Sequence, residues 1–230
     1  MNLIIDSLLD GAQKAEGTAI IIDVFRAFTT AAIAFTKGAK SIVLVETPSE
    51  AIKLRDQGVG DLCMGEVHGS KPDGFDFGNS PYELSLAEIR GQTLIHSTMA
   101  GTVGVTAAKN ASQIYLGSLV LAKATSNRII QNNPDLVTIV AMGGGGKFRT
   151  DEDEQCAFYM RNLLGGRQPD PNAVRSLVLS GSESLKFSDP NQPQFHPKDI
   201  DMALEIDSCP FAIKVDRINE LLIATPDQVS

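Results

Sequence analysis

The chain has 230 residues, of which 43% are hydrophobic and 21% charged, and its formal net charge at pH 7 is −8. This composition is typical of a globular protein with a sizeable core, and the acidic balance argues against nucleic acids and anionic membranes as partners, because both bind basic surfaces. No apolar run approaches the roughly 18 residues of a membrane span, and no signal segment opens the chain. The three cysteines lack metal-site spacing. We therefore expect a cytoplasmic protein without a membrane partner.

Short β-branched runs alternate with helix-like segments along the chain, which is the pattern of βα units around a mostly parallel sheet. The predicted strands are 2–6, 18–23, 41–46, 60–64, 92–96, 112–116 and 136–142. The predicted helices are 26–37, 48–57, 82–89, 100–109, 118–130, 152–164, 171–179, 198–206 and 216–221. We therefore predict an α/β fold of three layers, in which helices cover both faces of a mostly parallel β-sheet.

Two segments between these elements show no periodicity. Residues 65–81 carry four glycines and two prolines, and so long a loop in a compact domain is usually functional or disordered. Its aromatic and acidic residues favour an ordered active-site loop. Residues 185–198, richer in proline and polar residues, predict a surface connection. We expect one domain over residues 1–230, and we leave open a sub-division near residue 165 with a C-terminal cap over the sheet edge.

Polar residues gather where four predicted strands end, in the ranges 23–30, 97–102, 117–118 and 143–154. In open α/β sheets, ligands bind beyond the carboxyl ends of the strands, where helix N-termini present unpaired N–H groups. Each range alone is also explained by helix capping or by a glycine turn. Together, at one edge of one sheet, they predict an anion site. Hydroxyls and N–H groups suit phosphate oxygens, Arg26 suits a bidentate phosphate contact, and clustered carboxylates suit Mg²⁺.

Spacing excludes several familiar motifs. The glycines at 143–146 are followed by Lys147 and Phe148, so the Ser or Thr of a Walker loop is missing. The cysteine-phosphatase loop, an Asp-x-Asp after a strand and the G-x-S-x-G elbow are also missing. The histidines show no metal pairing. We expect His96 to be a packed core residue, and His68, in the glycine-rich loop, is the better candidate for a functional imidazole.

The sequence resembles the 2-phosphosulfolactate phosphatase family, which comprises Mg²⁺-dependent acid phosphatases linked to coenzyme M biosynthesis. The resemblance runs from about residue 19 to about residue 215 and rests on short motifs. These are DVFRAFTT at 23–30, GE at 65–66, GFDFGNSP at 74–81, the hydroxyl-rich turn at 97–102, GS at 117–118, and ED at 152–153 with Ala157 downstream. It implies a three-layer α/β fold, Mg²⁺ as cofactor and hydrolysis of a small phosphate monoester. Ala100 and Leu121 stand where the family usually shows Asn, which leaves the substrate open.

On this basis we predict that Asp23, Arg26 and Glu66 are catalytic. Glu152 and Asp153, with Asp23 as a further candidate, are predicted to hold Mg²⁺. Arg26 and the N–H groups at 98–102 would bind the phosphoryl oxygens, while a water activated by the metal or by a carboxylate attacks. Glu66 is then a general base or a further metal ligand. The predicted substrate- and phosphate-binding residues are Thr29, Thr30, Asn79, Ser80, Ser97, Thr98, Gly101, Thr102 and Ser118.

Three functions remain open on the sequence. The first is hydrolysis of 2-phosphosulfolactate or a close 2-phospho-hydroxyacid, and the second is the same mechanism on an unrelated small organic phosphate. The third is a catalytically silent phosphate-binding module, against which the acidic run at 151–154 argues, because carboxylates repel phosphate unless a cation intervenes. In each case the partner is a small anionic phosphorylated molecule. A homodimer is expected only from the general frequency of such assemblies.

Overall fold

The computed structural model describes residues 1–228, and within them nine strands form one sheet in the order β1-β7-β2-β6-β8-β9-β3-β5-β4. The strands are β1 (Asn2–Ser7), β2 (Gly17–Ile22), β3 (Ser41–Val45), β4 (Leu62–Gly65), β5 (Thr93–Ser97), β6 (Ala111–Gly117), β7 (Leu136–Ala141), β8 (Phe211–Ile218) and β9 (Leu221–Gln228). The helices are α1 (Leu8–Lys14), α2 (Ala27–Thr36), α3 (Pro48–Asp56), α4 (Pro81–Ser85), α5 (Gly101–Ala107), α6 (Ala122–Asn132), α7 (Asp151–Leu164), α8 (Pro171–Ser180) and α9 (Pro197–Ala203). Two 3₁₀ helices, Leu119–Leu121 and Ser182–Ser188, complete the regular structure.

Most of the parallel strands are buried on both faces, as expected of strands covered by helices, whereas the edge strand β1 is partly exposed. In β2 the side chains of Ala19 and Ile21 pack in one core with α1, α2 and α5, whereas Ile20 and Ile22 pack in a second core with α6 and α7. A third, smaller core lies between α3 and the strands β3, β4 and β5. Because successive strand residues point to opposite faces, these cores lie on the two sides of the sheet. The predicted three-layer α/β fold is confirmed.

The strands form two parallel groups, β1-β7-β2-β6 and β3-β5-β4, which the C-terminal strands β8 and β9 join. The three ladders in the middle, β6–β8, β8–β9 and β9–β3, are all antiparallel. Three reversals leave the two groups running in opposite directions along the sheet. The expectation that all four polar strand ends share one sheet edge is therefore wrong for the turn after β5. That turn still reaches Asp23, because α2 and α5 pack together in the shared core.

The C-terminal region departs most from the prediction. The predicted helix at 216–221 is wrong, because these residues are the end of β8, a two-residue turn and the start of β9. The turn residues Asn219 and Glu220 have positive φ angles of 48° and 68°, as the two-residue turns of β-hairpins require. Helix α1 was not predicted either. The predicted helix at 118–130 begins as a 3₁₀ turn before α6 starts at Ala122.

Within residues 1–228, no helix combines the length and the apolar character needed to cross a bilayer. The cytoplasmic location, the homodimer and the sub-division near residue 165 stay predictions.

Candidate active site

A cavity of about 410 Å³ lies where the loops after β2, β4, β5 and β7 meet the first turn of α7. Five carboxylates line it, those of Asp23, Glu66, Glu152, Asp153 and Glu183, together with the cationic side chains of Arg26, Lys147 and Lys186. Glu183 and Lys186 form an ion pair with each other. A larger cavity of about 600 Å³ lies between α1, α5 and the β8–β9 turn, but none of the predicted site residues lines it. The smaller cavity, which the predicted site residues line, is therefore the candidate active site.

Asp23 follows β2 and fixes the starts of two helices. Its Oδ1 accepts a hydrogen bond from the N–H of Ala27 at 3.0 Å, and its Oδ2 accepts one from the N–H of Gly101 at 2.9 Å. Burial raises the pKa of this carboxyl to about 6, and the charge of Glu66 adds to the rise, while the two N–H groups and Arg26 oppose it. Asp23 thus carries a charge at neutral pH at an energetic cost that a nearby cation would reduce.

Glu66 follows β4 and holds two loops together. Its Oε2 accepts the N–H of Gly69 at 2.7 Å, and its Oε1 accepts the N–H of Met99 at 2.8 Å. The preceding Gly65 has a φ of 144°, and a Cβ atom there would lie 1.9 Å from the carbonyl oxygen of Ser97. Only glycine fits this close approach. The backbone at Gly65 therefore allows Glu66 to lie beside the turn that follows β5.

Glu152 and Asp153 lie buried in the first turn of α7, where the helix dipole stabilises carboxylates. Asp153 accepts the N–H of Val24 and the N–H of Gly143, both at 2.8 Å. Within the described chain, the buried Oε2 of Glu152 accepts no hydrogen bond. Burial raises the pKa of Glu152 to about 7, and burial together with the charges of Glu152 and Asp23 raises that of Asp153 well above its usual range. This pair of carboxylates lacks full compensation by protein groups.

The glycine tract after β7 has a defined backbone conformation, which supports the hydrogen bond from the Gly143 N–H to Asp153. Gly143, Gly145 and Gly146 have φ angles of 64°, 59° and 70°, which favour glycine. A Cβ at Gly143 would lie 2.2 Å from the carbonyl oxygen of Phe148, and one at Gly144 would lie 2.0 Å from the Phe148 ring. The tract thereby turns the N–H of Gly143 towards Asp153.

Arg26 lines the cavity but is anchored by protein groups on one side. Its Nη1 donates to Oδ2 of Asp199 at 2.7 Å and to the carbonyl of Gln194 at 2.9 Å, and its Nη2 donates to the carbonyl of Gly69 at 3.3 Å. The guanidinium lies over the Phe195 ring, 4.7 Å from its centroid. A phosphate contact has to use the N–H groups that these partners leave free.

The structure brings six of the predicted site residues to the cavity: Asp23, Arg26, Glu66, Asn79, Glu152 and Asp153. The other eight are buried and do not line it: Thr29, Thr30, Ser80, Ser97, Thr98, Gly101, Thr102 and Ser118. Their phosphate-binding role stays a prediction. Several have protein partners, since the Thr29 hydroxyl donates to the carbonyl of Val24 and the Thr98 N–H donates to Oγ1 of Thr102.

Two histidines were singled out from the sequence. His68 lines the cavity. His96 is fully buried, as predicted, with its Nε2 3.2 Å from Oδ1 of Asn79. Burial lowers the pKa of His96 to about 3, so the ring is neutral. Because Oδ1 is only an acceptor, the Nε2–H donates to it, which leaves the NH₂ group of Asn79 to donate elsewhere.

His96 gives a testable pH dependence of stability. The pKa is 6.5 before burial and about 3 in the folded protein, so below pH 6.5 the unfolded chain binds a proton that the folded protein does not. Lowering the pH from 7.5 to 5 should therefore lower the free energy of unfolding by about 2 kcal/mol through this group alone. We expect urea unfolding to show wild type losing about that much more stability than His96→Gln over this range. Equal losses for the two proteins would contradict the assignment.

The sequence analysis missed one wall of the cavity. Lys186, Gln192, Gln194 and Phe195 line it. Residues 185–198 were predicted to be a surface connection, and most of them are exposed or half-buried, but the segment also forms this wall of the cavity. The available signal was the length of this aperiodic segment, which is the criterion that drew attention to 65–81.

The two departures from the family pattern differ in position. Ala100 lines the cavity, whereas Leu121 is fully buried in the core shared by both halves of the sheet and does not line the cavity. Only the change at residue 100 is therefore placed to alter contacts with a bound molecule.

Comparison with known proteins agrees with the motifs. The sequence model of the family described as "2-phosphosulpholactate phosphatase" matches residues 4–187. A Bacillus subtilis protein named "Probable 2-phosphosulfolactate phosphatase" is 33% identical over 205 residues, which cover 88% of each chain. A protein of the same name from Clostridium acetobutylicum is 36% identical over 175 residues, 74% of each chain. With most of its length matched at this level, the chain belongs to the 2-phosphosulfolactate phosphatase family.

Proposed function

We propose that this protein hydrolyses 2-phosphosulfolactate to sulfolactate and phosphate, and that the reaction depends on Mg²⁺. The names of its relatives support the substrate. The observation that carries the proposal is the cavity itself, in which incompletely compensated carboxylates and cationic side chains line the same space. The cationic side chains suit a substrate with several negative charges, and the carboxylates suit a divalent cation.

The donor set fits Mg²⁺. In residues 1–228, no three His, Cys, Asp or Glu side chains are grouped to hold a metal ion, but Mg²⁺ commonly binds through one or two carboxylates, waters and substrate phosphate oxygens. Glu152 and Asp153 supply two carboxylates, and Oε2 of Glu152 is buried without a hydrogen-bond partner among the described residues. When bound, Mg²⁺ supplies positive charge that offsets both these carboxylates and the phosphoryl oxygens.

In the proposed reaction, the oxygen of water bonds to phosphorus while the bond from phosphorus to the sulfolactate oxygen breaks. The proton that water loses balances the one that sulfolactate gains at its new hydroxyl. Glu66 is our candidate for the carboxylate that accepts this proton, because Glu152 and Asp153 are assigned to the metal. Arg26 is assigned to the phosphoryl oxygens, and Lys147 and Lys186 to the carboxylate and sulfonate of the substrate.

A second candidate function is hydrolysis of a different small organic phosphate by the same residues. The observation that favours it is Ala100, which lines the cavity where the family usually shows an amide. An amide that pairs with a substrate group contributes strongly to discrimination, because its absence leaves that group without a partner. Loss of the amide would therefore change the preferred substrate more readily than it would abolish hydrolysis.

Phosphate release from a panel of phosphate monoesters, measured with EDTA and with added Mg²⁺, tests the proposal. We expect 2-phosphosulfolactate to have the highest kcat/KM, EDTA to abolish turnover and Mg²⁺ to restore it. Preference for another ester would favour the second candidate function. Turnover that survives EDTA would contradict the role of Mg²⁺, and binding of inorganic phosphate without hydrolysis of any ester would leave only a phosphate-binding protein.

A further inference from the structure

Arg26 and Asp199 form a buried ion pair that no sequence motif indicated. The distance from Nη1 to Oδ2 is 2.7 Å, and the exposed fractions of the two side chains are 2% and 0%. The second oxygen of Asp199, Oδ1, accepts the hydroxyl of Ser80 at 2.6 Å and the N–H of Tyr82 at 3.0 Å. One carboxylate in α9 thus joins the residue before α2 to the start of α4. Asp199 itself does not line the cavity.

The partners of Arg26 restrain the guanidinium in several directions. Asp199 and the carbonyl of Gln194 bind Nη1, the carbonyl of Gly69 binds Nη2, and the Phe195 ring lies against the guanidinium plane. A free arginine side chain has many rotamers, and this freedom is lost when the side chain is fixed against a ligand. Holding it in place before the ligand arrives removes most of that cost from binding.

The charge of Asp199 matters as much as its hydrogen bonds. Besides Glu183, which pairs with Lys186, four carboxylates line the cavity that Arg26 faces, those of Asp23, Glu66, Glu152 and Asp153. Without the negative charge of Asp199, the guanidinium is free to pair with one of these instead. Such a pairing would turn Arg26 away from the phosphoryl group and would occupy a carboxylate assigned to metal or proton transfer.

We propose that Asp199 is the positioning residue for Arg26, holding one side of the guanidinium so that its remaining N–H groups face the phosphoryl oxygens of the substrate. The inference rests on the proposed function, because it takes this cavity as the phosphate site. Asp199 lies beyond residues 4–187, the part of the chain that the family model matches. The assignment therefore comes from the tertiary contacts alone.

The test is the inhibition constant of inorganic phosphate, with KM and kcat for the best ester of the panel. In Asp199→Asn we expect the inhibition constant and KM to rise about tenfold and kcat to change by less than about threefold. Asp201→Asn is the matched control, since it removes a charge from the same helix at a side chain that is 73% exposed. It should behave as wild type. Asp199→Glu keeps the charge and should bind phosphate more tightly than Asp199→Asn.

The double variant separates positioning from a general structural role. Arg26→Ala should raise the inhibition constant of phosphate, and adding Asp199→Asn should raise it no further, because Asp199 acts through Arg26. Independent, multiplying effects would overturn the inference, as would a wild-type inhibition constant in Asp199→Asn beside a raised one in Arg26→Ala. If wild type neither binds phosphate nor hydrolyses any ester, the proposed function itself fails.

Discussion

Glu152→Gln is expected to lower Mg²⁺-dependent turnover at least about 1,000-fold and, in the metal-free protein at pH 8, to raise the free energy of unfolding. Turnover falls because a neutral amide replaces a carboxylate assigned to Mg²⁺. Stability rises because Glu152 is buried and its Oε2 has no hydrogen-bond partner within residues 1–228. A substitution that abolishes function while stabilising the fold marks a residue kept for its chemistry.

The stability gain has a defined pH window. Burial moves the pKa of Glu152 from 4.5 to about 7, so between these values the folded protein binds a proton that the unfolded chain has lost. Wild-type stability therefore falls as the pH rises from 4.5 to 7, by about 3 kcal/mol. We expect a gain of that size for Glu152→Gln at pH 8 and none below pH 4.5. Thermal unfolding in EDTA at both pH values measures it, as a rise of about 6–12 °C at pH 8.

Asp151→Asn is the control for this prediction, because Asp151 lies in the same first turn of α7 but is exposed and outside the cavity lining. It should keep wild-type turnover and gain no stability. A Glu152→Gln protein that retains Mg²⁺-dependent turnover, or that unfolds at a lower temperature than wild type at pH 8, would contradict the assignment.

Gly101→Ala is expected to lower kcat about 100-fold with only a modest loss of stability. A Cβ atom at this position would lie 2.8 Å from Oδ2 of Asp23 and 3.0 Å from both the Cβ of Ala27 and the Cζ of Phe28. Either α5 or Asp23 has to shift, which disrupts the 2.9 Å hydrogen bond from the Gly101 N–H. Displacements of about 1 Å in a catalytic group are sufficient for rate losses of this size.

Gly91→Ala distinguishes this local effect from general destabilisation. Gly91 has a φ of 76° with nothing within 4 Å of an added Cβ, so the substitution should cost about 1–2 kcal/mol through backbone strain alone. We expect Gly91→Ala to keep the wild-type kcat despite this loss. Steady-state kinetics and thermal unfolding of both variants provide the comparison. If both lose kcat in proportion to stability, the contact between Gly101 and Asp23 has no special role.

The sequence predicted those helices and strands whose signals come from residues a few positions apart. The apolar run of β2 and the cap of α3, where Thr47 Oγ1 accepts the N–H of Glu50 at 3.3 Å, could be predicted because strand burial and capping depend on neighbouring residues. The strands β8 and β9 could not be placed in the same way. Their partners β6 and β3 are distant in sequence. The insertion of a hairpin between two parallel groups of strands therefore produces no short-range sequence pattern.

The residues of the candidate site were likewise predictable only where a local signal marks them. Asp23, Glu66, Glu152 and Asp153 were identified because each stands at or near the end of a strand or the start of a helix, and the resemblance to a family supported them. The hydroxyls of Thr29 and Thr30 were assigned to phosphate, yet they donate to backbone carbonyls, since such side chains readily satisfy nearby main-chain groups. Which hydroxyls face a cavity depends on packing that the sequence does not display.

By itself, the sequence determined the class of fold, the order of most elements and the carboxylates of the candidate site. Only the tertiary structure decided that Arg26 pairs with Asp199, 173 residues further along the chain, and that Lys186 and Phe195 complete the cavity. The physical reason is the separation along the sequence of the residues that interact. Periodicity, caps and turns are set by residues a few positions apart, whereas an ion pair or a cavity wall exists only once the sheet has brought distant segments together.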